Sequence, residues 1–374
     1  MPGIYLHIPY CRQACHYCDF HFSTNLKNKT AMVQAIVHEL ELRKDYFNSK
    51  EVNTIYFGGG TPSLLSESEL GFLLENIHRL FPIASQAEIT IECNPEDLSK
   101  KKINSLNTLH FNRLSIGIQT FNDGILKYTN RIHTGAEACQ AVLDAQEKGF
   151  ENITLDLMYA LPKGTMETLQ QDLDTLVSLN VPHLSAYCFT LEEKTVFGTW
   201  AKQKKLDKHG DDWEQKNYLQ VQKHLAQHGY EQYEISNFAR NGRYSRHNSS
   251  YWLGEHYLGI GPGAHSYNGT ERQWNMRNNA LYIQKLEKLT LAYESELLGQ
   301  KEQLNELLLV QLRTKWGLNL DNIKSRFGFD FMDARKKEIH KLLKSNLLQL
   351  ENNILYLTEK GKLLADAITV DLML

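Results

Sequence analysis

The sequence predicts an α/β protein: a partial (β/α)6 barrel followed by a mostly helical, winged-helix-like C-terminal domain. In the first two thirds of the chain, short runs of β-branched and aromatic residues alternate with amphipathic helical stretches. Six β/α units in series predict parallel strands joined by right-handed crossovers. Polar or glycine-rich residues recur where these strands end, and a parallel barrel brings such positions together on one face. Six units would leave the barrel open on one side.

The predicted strands cover residues 4–8, 54–57, 88–93, 113–118, 153–158 and 183–188. Among the helices between them, one begins with a capping box formed by Ser66 and Glu69, ahead of apolar residues at helical spacing. This series alone fits either a barrel or a doubly wound sheet. No G-x-G-x-x-G pattern follows the first strand, so nothing supports a Rossmann-type nucleotide site.

The later part of the chain changes character twice, which predicts a barrel, a connecting segment and a C-terminal domain over 1–226, 227–275 and 276–374. The connecting segment is rich in Gly, Tyr, Trp and His and has little helical periodicity. Near the end, apolar runs at 347–350 and 354–357 flank a polar tripeptide, which predicts a hairpin. A last helix over 358–368 completes a winged-helix-like pattern.

Composition narrows the class of partner and the compartment. The 374 residues carry a formal net charge of −3, which gives no bulk attraction to nucleic acid or to an anionic membrane. We interpret the basic residues of 335–344 as a solvated surface, so no nucleic-acid partner is expected. No signal peptide and no membrane span are evident, and the scattered cysteines fit a reducing compartment. The expected location is cytoplasmic.

Three cysteines near the start, Cys11, Cys15 and Cys18, follow a C-x3-C-x2-C spacing. Three thiolates can hold three irons of a cubane cluster and leave the fourth iron open, whereas a cluster that only transfers electrons normally takes four cysteines. The alternative is a zinc site whose fourth ligand is His7, His16 or His21. Structural zinc sites usually combine two C-x2-C pairs, and the sequence has no second pair. The spacing therefore favours a cluster.

Polar groups at the predicted strand ends form a second candidate set. The triplet 58–60 is all glycine, so it could present bare backbone groups to a small molecule; the alternative is a tight turn. Glu92 closes the third strand and could accept hydrogen bonds from ribose hydroxyls. Gln119 and Asp156 lie at the fourth and fifth strands. A barrel would bring these groups together.

Several segments resemble the oxygen-independent coproporphyrinogen III oxidase family of the radical S-adenosylmethionine (SAM) superfamily. They are the cysteine loop, Gly58-Gly59-Gly60-Thr61-Pro62, 115–121, Asn130-Arg131 and 156–162. The match is closest to the HemW-type haem chaperone branch and covers essentially the whole chain. The resemblance implies a radical SAM partial barrel, a [4Fe-4S] cluster on the three cysteines, and SAM on its open iron. It also implies a SAM pocket lined by Tyr5, Tyr17, Gly59, Gly60, Thr61, Glu92, Gln119, Arg131, Asp156, Ala186 and His265. Five of these, Tyr17, Gln119, Arg131, Asp156 and Ala186, belong to a second SAM site in the oxidase, and another role for them in a chaperone is the alternative.

Three features separate the chaperone branch from the oxidase. Phe20 occupies the place of the fourth cysteine of the oxidase motif C-x3-C-x2-C-x-C, and only ten residues precede Cys11, so we expect no cover over an oxidase substrate. His247-Asn-Ser-Ser-Tyr-Trp252 resembles the H-N-x-x-Y-W motif associated with haem binding. There His247 is the candidate axial ligand of haem iron, and Tyr251 and Trp252 offer apolar area to a porphyrin. The alternative is a histidine satisfied within a packed loop.

The resemblance thus implies a haem chaperone that binds haem as cargo, keeps a SAM-ligated cluster, and delivers haem to an unidentified acceptor protein. Peripheral contact with a membrane haem protein is compatible with that role. The alternative is the oxidase itself, which removes two propionate carboxyl carbons of coproporphyrinogen III as CO2. We expect a radical SAM protein without that oxidase activity.

Overall fold

The computed structural model describes residues 2–48, 50–206 and 209–374. Its central feature is a run of parallel strands in sequence order, β1 to β6, in which each strand pairs with the next. Their bounds are Gly3–Ile8, Val52–Gly59, Ile83–Cys93, Arg113–Gln119, Ile153–Tyr159 and His183–Cys188. All six predicted strands are confirmed, and β2 and β3 begin earlier than expected. Most residues of β4 are buried, as expected for a parallel strand covered on both faces.

Helices α1 to α8 connect and follow these strands. Their bounds are Lys29–Leu42, Glu67–Leu80, Lys100–Thr108, Asp123–Tyr128, Gly135–Glu147, Met166–Ser178, Val196–Lys202 and Asp211–Gln227, with short 3-10 turns at Pro62–Leu64 and Pro95–Asp97. The capping box at the start of α2 is confirmed. The side chain of Ser66 accepts from the backbone N–H of Glu69, and the Glu69 carboxylate accepts from the N–H of Ser66.

The segment 227–275, whose sequence has little helical periodicity, extends the sheet at both edges. It contains β7 Glu231–Gln232, β8 Asn237–Ala239, the short helix α9 Arg246–Trp252, β9 Tyr257–Ile260, β10 His265–Tyr267 and β11 Glu271–Asn275. After it come α10 Asn279–Glu287 and β12 Tyr293–Leu297. Strand β9 pairs with β1 in parallel, and the strand order is β12-β11-β10-β9-β1-β2-β3-β4-β5-β6-β8-β7. The expected segment boundaries at 226 and 275 stay a prediction.

The C-terminal part is helical around a small antiparallel sheet. It contains α11 Gln300–Gln311, β13 Leu318–Asn319, α12 Leu320–Phe327, α13 Phe331–Ala334, α14 Lys336–Lys344, β14 Leu348–Glu351, β15 Ile354–Leu357, α15 Glu359–Lys362 and α16 Ala365–Leu372. The predicted hairpin is β14–β15. Asn352 and Asn353 form its turn with φ of 51° and 61°, the left-handed pair that a two-residue type I′ turn needs. The expected last helix is divided into α15 and α16.

Two hydrophobic cores stabilise these parts. The larger packs the helices onto the parallel strands, and the smaller lies among α11, α12, α14, α16 and the small sheet. The partly buried side chain of Ile235 packs against both cores. The α/β fold class with a helical C-terminal part is confirmed. Among the described residues, no helix combines the length and apolar character that crossing a lipid bilayer requires.

Candidate functional site

A cavity of about 440 Å3 lies beneath the cysteine loop, inside the curve of the parallel strands. Its volume is within the range of small-molecule sites. It brings together the three cysteines and eight of the residues that the resemblance implied for SAM. These are Cys11, Cys15, Cys18, Tyr17, Gly59, Gly60, Thr61, Glu92, Gln119, Arg131 and Asp156. The expected meeting of strand-end groups on one face is therefore observed.

The cysteine sulfurs receive hydrogen bonds from two side chains of the cavity wall. The hydroxyl of Thr61 donates to Sγ of Cys11 at 3.3 Å, and Nη1 of Arg131 lies 3.7 Å from Sγ of Cys15. Burial raises the pKa of Cys11 to about 11 and that of Cys18 to about 12. These thiols are therefore protonated in the metal-free protein at neutral pH, and iron would have to displace their protons. Donors to sulfur stabilise the thiolates, which suits an iron–sulfur cluster.

The zinc alternative requires one of three histidines to join the cysteines around a single metal ion. Nε2 of His7 lies 2.8 Å from the carbonyl oxygen of His21, and Nδ1 of His16 lies 2.9 Å from that of Tyr128. Nε2 of His21 lies 2.7 Å from the side-chain oxygen of Asn279. Within the part of the chain that the structure describes, no three His, Cys, Asp or Glu side chains are grouped to hold one metal ion.

Glu92 is anchored to the glycine turn. Its carboxylate accepts from the N–H of Gly59 at 3.0 Å and from the hydroxyl of Tyr56 at 2.9 Å. Burial, together with the nearby Asp156, raises the pKa of Glu92 to about 7, although these two hydrogen bonds lower it. A Cβ on Gly58 would lie 2.9 Å from the rings of Tyr5 and Tyr56 and 3.0 Å from the Glu92 carboxylate, so a larger residue there would displace these side chains. The carboxylate is thus held at the cavity wall as an acceptor.

Arg131 bridges the strand ends beside the cysteine loop. Its Nη2 donates to the carbonyl of Gly117 at 2.7 Å and to the side-chain oxygen of Asn94 at 2.9 Å. Its Nε is buried and has no hydrogen-bond partner within the described residues. Gln119 has φ of 69° at a register shift between β4 and β5, and such irregularities re-aim side chains near sites. Arg131 and Gln119 both line the cavity, so this end of β4 presents polar side chains to it.

The floor of the cavity is polar. Oδ2 of Asp156 accepts from the hydroxyl of Ser115 at 3.1 Å, and burial raises the pKa of Asp156 to about 6. Asn248 and Ser245, at the start of α9, line the same cavity. The cavity therefore runs from the cysteine loop to α9 at the opposite end of the strands.

Three implied SAM residues lie outside the wall of this cavity. Tyr5 and His265 line a second cavity of about 450 Å3, on the other side of residues 19–20. Ala186 is buried in β6 with 3% exposure, and its N–H donates to the carbonyl of Ser236. Its two neighbours along the strand line the first cavity, so Ala186 can contribute only backbone there.

The implied haem motif forms helix α9, and its histidine is enclosed. His247 is 1% exposed, its Nδ1 lies 2.8 Å from the Thr54 hydroxyl, and its Nε2 lies 2.8 Å from the Tyr251 hydroxyl. Its ring stacks on Tyr56 at 4.9 Å. Burial lowers the pKa of His247 to about 3, so the ring is neutral. Both ring nitrogens have hydrogen-bond partners, so in this conformation His247 matches the alternative of a histidine satisfied within a packed loop.

The two aromatic residues of the motif have different surroundings. Tyr251 lines the second cavity, on the side of α9 that faces β1. Nε1 of Trp252 is buried and lacks a partner among the residues described. The carboxylate of Glu88 accepts from the N–H groups of Arg246 and His247, which holds the start of α9 against β3. Charge at a helix N-terminus stabilises such a docking.

Sequence reasoning missed several residues of the first cavity, and strand periodicity could have found most of them. Side chains two apart on a strand face the same side, so inward positions recur with period two. By this rule Tyr56 accompanies Gly58, and Arg113 and Ser115 precede Gly117, and all but Gly58 line the cavity. Asn248 and the second-cavity residues Tyr257 and Arg277 carry no such signal.

Comparison with known proteins agrees with this geometry. A sequence profile described as the radical SAM superfamily matches residues 5–176, and one described as the HemN C-terminal domain matches residues 298–364. "Heme chaperone HemW" of Bacillus subtilis is 34% identical over 98% of this chain and 98% of its own. The protein of the same name from Lactococcus lactis is 35% identical over 96% of this chain and 93% of its own.

The fold has a solved counterpart. A structure titled "Coproporphyrinogen III oxidase (HemN) from Escherichia coli is a Radical SAM enzyme" superposes with a TM-score of 0.87, covering 100% of this chain and 90% of that one at 23% identity. This likeness concerns the fold. The chain-wide sequence similarity decides the branch: the chain belongs to the HemW haem chaperone family of the radical SAM superfamily.

Proposed function

We propose that the protein is a haem chaperone, which binds haem as cargo, holds a SAM-ligated [4Fe-4S] cluster, and passes haem to an acceptor protein. The observation that carries this proposal is the similarity to haem chaperones over 98% of the chain, including the segment that contains the H-N-x-x-Y-W motif. The acceptor is a haem-binding protein. It is either soluble or a membrane haem protein that the chaperone contacts peripherally. The proposed compartment is the cytoplasm, and the six free cysteines fit it.

The cluster would be held by Cys11, Cys15 and Cys18, with its fourth iron open to SAM. Phe20 supports this count of ligands, because it stands where the oxidase motif has a cysteine and its side chain is 69% exposed. Thr61 and Arg131 would donate to the sulfurs. When bound, such a cluster supplies one-electron chemistry to SAM.

SAM would occupy the first cavity. The Gly59–Gly60 backbone and Thr61 would meet its polar end near the open iron, and Glu92 would accept from ribose hydroxyls. Arg131 lines this cavity, and its guanidinium would be a donor to a SAM oxygen. Tyr17, Gln119 and Asp156 would complete the wall, with Ala186 contributing backbone. A SAM role for Tyr5 and His265 would require the ligand to reach the second cavity.

Haem binding through residues 247–252 is part of this proposal. The axial role of His247 stays a prediction, and it has a structural requirement. To reach an iron, the ring must break its hydrogen bonds to Thr54 and Tyr251. It must also move out of its buried position, in which the residue is 1% exposed. Tyr251 needs no such change, because it already borders a cavity.

One experiment separates the chaperone from the oxidase. Protein reconstituted anaerobically with iron and sulfide is divided between a haem titration and a coproporphyrinogen III assay with SAM and a reductant. We expect one haem per chain and no decarboxylation. Turnover of coproporphyrinogen would overturn the proposal and leave the oxidase as the function. A known coproporphyrinogen oxidase, assayed alongside, controls for substrate and reductant.

A further inference from the structure

Tyr56, on β2, contacts both the cavity proposed for SAM and the motif proposed for haem. Its hydroxyl donates to Oε1 of Glu92 at 2.9 Å. Its ring stacks on the imidazole of His247, with 4.9 Å between the ring centroids and 25° between the planes. The side chain also lines the first cavity. One buried ring therefore touches the carboxylate expected to meet SAM and the histidine expected to meet haem iron.

The hydroxyl of Tyr56 is one of two anchors that fix the Glu92 carboxylate. The other anchor is the backbone N–H of Gly59, which is held in the sheet by pairing of β2 with β1. Burial and the nearby Glu92 raise the pKa of Tyr56, so its hydroxyl keeps its proton and remains a donor. The backbone anchor is fixed by the sheet, whereas the anchor from Tyr56 depends on what packs against its ring.

His247 packs against that ring from a space fitted to the imidazole. Its two ring nitrogens lie 2.8 Å from the hydroxyls of Thr54 and Tyr251. A Cβ on Gly3 would lie 2.4 Å from the Thr54 hydroxyl and 3.1 Å from Nδ1 of His247, so only glycine on β1 leaves room for this arrangement. Ligation of haem iron by His247 requires the ring to leave this space, and Tyr56 would then lose its stacking partner.

We propose that Tyr56 is a positioning residue that couples the haem motif to the SAM cavity. When His247 withdraws to ligate haem, the Tyr56 ring is released on that side and holds Glu92 less firmly, so SAM affinity falls. The proposal rests on the haem-chaperone function and on the axial role of His247. The two arrangements of His247, enclosed and ligating, are the two states whose populations both ligands shift.

This coupling also acts in the opposite direction. Because binding free energies are linked, SAM must lower haem affinity by the same factor by which haem lowers SAM affinity. SAM binding would hold Glu92, Tyr56 and His247 in the enclosed arrangement. Occupation of the SAM cavity therefore favours release of the cargo, which suits a protein that must pass its haem on.

The test is the Kd of SAM, measured on cluster-replete protein without haem and with saturating haem. Tyr56→Phe keeps the ring but removes the hydroxyl that reaches Glu92. Tyr230→Phe is the matched control, because it removes a buried hydroxyl that donates to the carbonyl of Val181 at 2.7 Å within the larger core. We expect haem to raise the Kd of SAM about tenfold in the wild type and in Tyr230→Phe. In Tyr56→Phe the two values should be nearly equal.

His247→Ala supplies an independent measurement. It removes the ring that stacks on Tyr56, so its haem-free Kd for SAM should approach that of haem-loaded wild type. Tyr56→Phe should leave the Soret maximum of bound haem in place, because Tyr56 is not an iron ligand in this arrangement. A haem-free Kd of His247→Ala equal to that of haem-free wild type would overturn the proposal.

Three further results would overturn it. Haem could leave the wild-type Kd of SAM unchanged or lower it, which contradicts the sign of the coupling. The effect of haem could persist in folded Tyr56→Phe, which would indicate direct competition for one space. It could also vanish in Tyr230→Phe, which would indicate general loosening of the core. All of these leave the haem-chaperone function standing, whereas wild-type protein that binds no haem would overturn that function itself.

Discussion

The hydroxyl of Tyr251 lies 2.8 Å from Nε2 of His247, so the two residues that the H-N-x-x-Y-W motif places one helical turn apart are joined by a hydrogen bond. The other ring nitrogen of His247 faces the hydroxyl of Thr54 at 2.8 Å. Through these two hydrogen bonds, His247 connects Tyr251 on α9 with Thr54 on β2. Tyr251 in turn borders the cavity that contains His265.

Substitution of His247 distinguishes a positioning role from ligation. We expect His247→Ala to shift the Soret maximum and weaken haem binding, because loss of an axial nitrogen changes the electronic state of the iron directly. Tyr251→Phe should weaken binding by a smaller factor, since the ring remains. Spectral titration of both variants measures this. If His247→Ala leaves the Soret band and the haem affinity unchanged, His247 is not the axial ligand, and His265 and His256 are the next candidates.

The cluster prediction concerns iron and sulfide content. Cys11→Ser, Cys15→Ser and Cys18→Ser should each lose the cluster, because three thiolates are the smallest set that can hold three irons. Cys139→Ser, in α5, is the matched control and should keep it. Addition of SAM to the reduced wild-type protein should change its EPR spectrum. Stoichiometric zinc without acid-labile sulfide in anaerobic preparations would contradict this.

SAM affinity should depend on Glu92. Glu92→Ala removes an acceptor but no iron ligand, so we expect near-normal iron content and a Kd higher by roughly tenfold to a hundredfold, equivalent to about 1.5–3 kcal/mol. Tyr56→Phe keeps the carboxylate and removes one of its two anchors, so its effect should be smaller. Equilibrium binding of SAM to the cluster-replete variants tests this. An unchanged Kd in Glu92→Ala would show that the carboxylate does not contact SAM.

The same carboxylate predicts a pH dependence. Burial raises the pKa of Glu92 to about 7, so lowering the pH through 7 protonates it and removes an acceptor. We therefore expect SAM affinity to fall below pH 7, by up to about tenfold per pH unit. Glu92→Gln should lack this slope. The titration of SAM itself affects both proteins equally, so it cancels in the ratio of the wild-type affinity to the Glu92→Gln affinity. A ratio that stays constant from pH 6 to 8 would contradict the prediction.

Local pattern was enough to locate the six parallel strands, the C-terminal hairpin and the cluster loop. The strands are short runs of β-branched residues, and the Ser66–Glu69 capping box is confined to four residues. The three cysteines lie within eight positions, so their spacing alone indicated one loop. The hairpin at Asn352 and Asn353 is equally local. The strand-end polar groups could be placed near one another because parallel strands align their ends. None of these inferences needed a contact between distant segments.

The enclosure of His247 and the make-up of the second cavity depend on such contacts. His247 meets Thr54 across 193 positions of sequence, and Glu39 meets Gly261 across 222. Strand β9 adds to the edge of β1, and the residues that follow it, His265 and Arg277, line the second cavity with Tyr5, an arrangement without a periodic signal in the sequence. Residue type and spacing report which groups can do chemistry. Whether an imidazole is free or already bonded depends on which neighbours packing brings to it, and that is settled only when the sheet assembles.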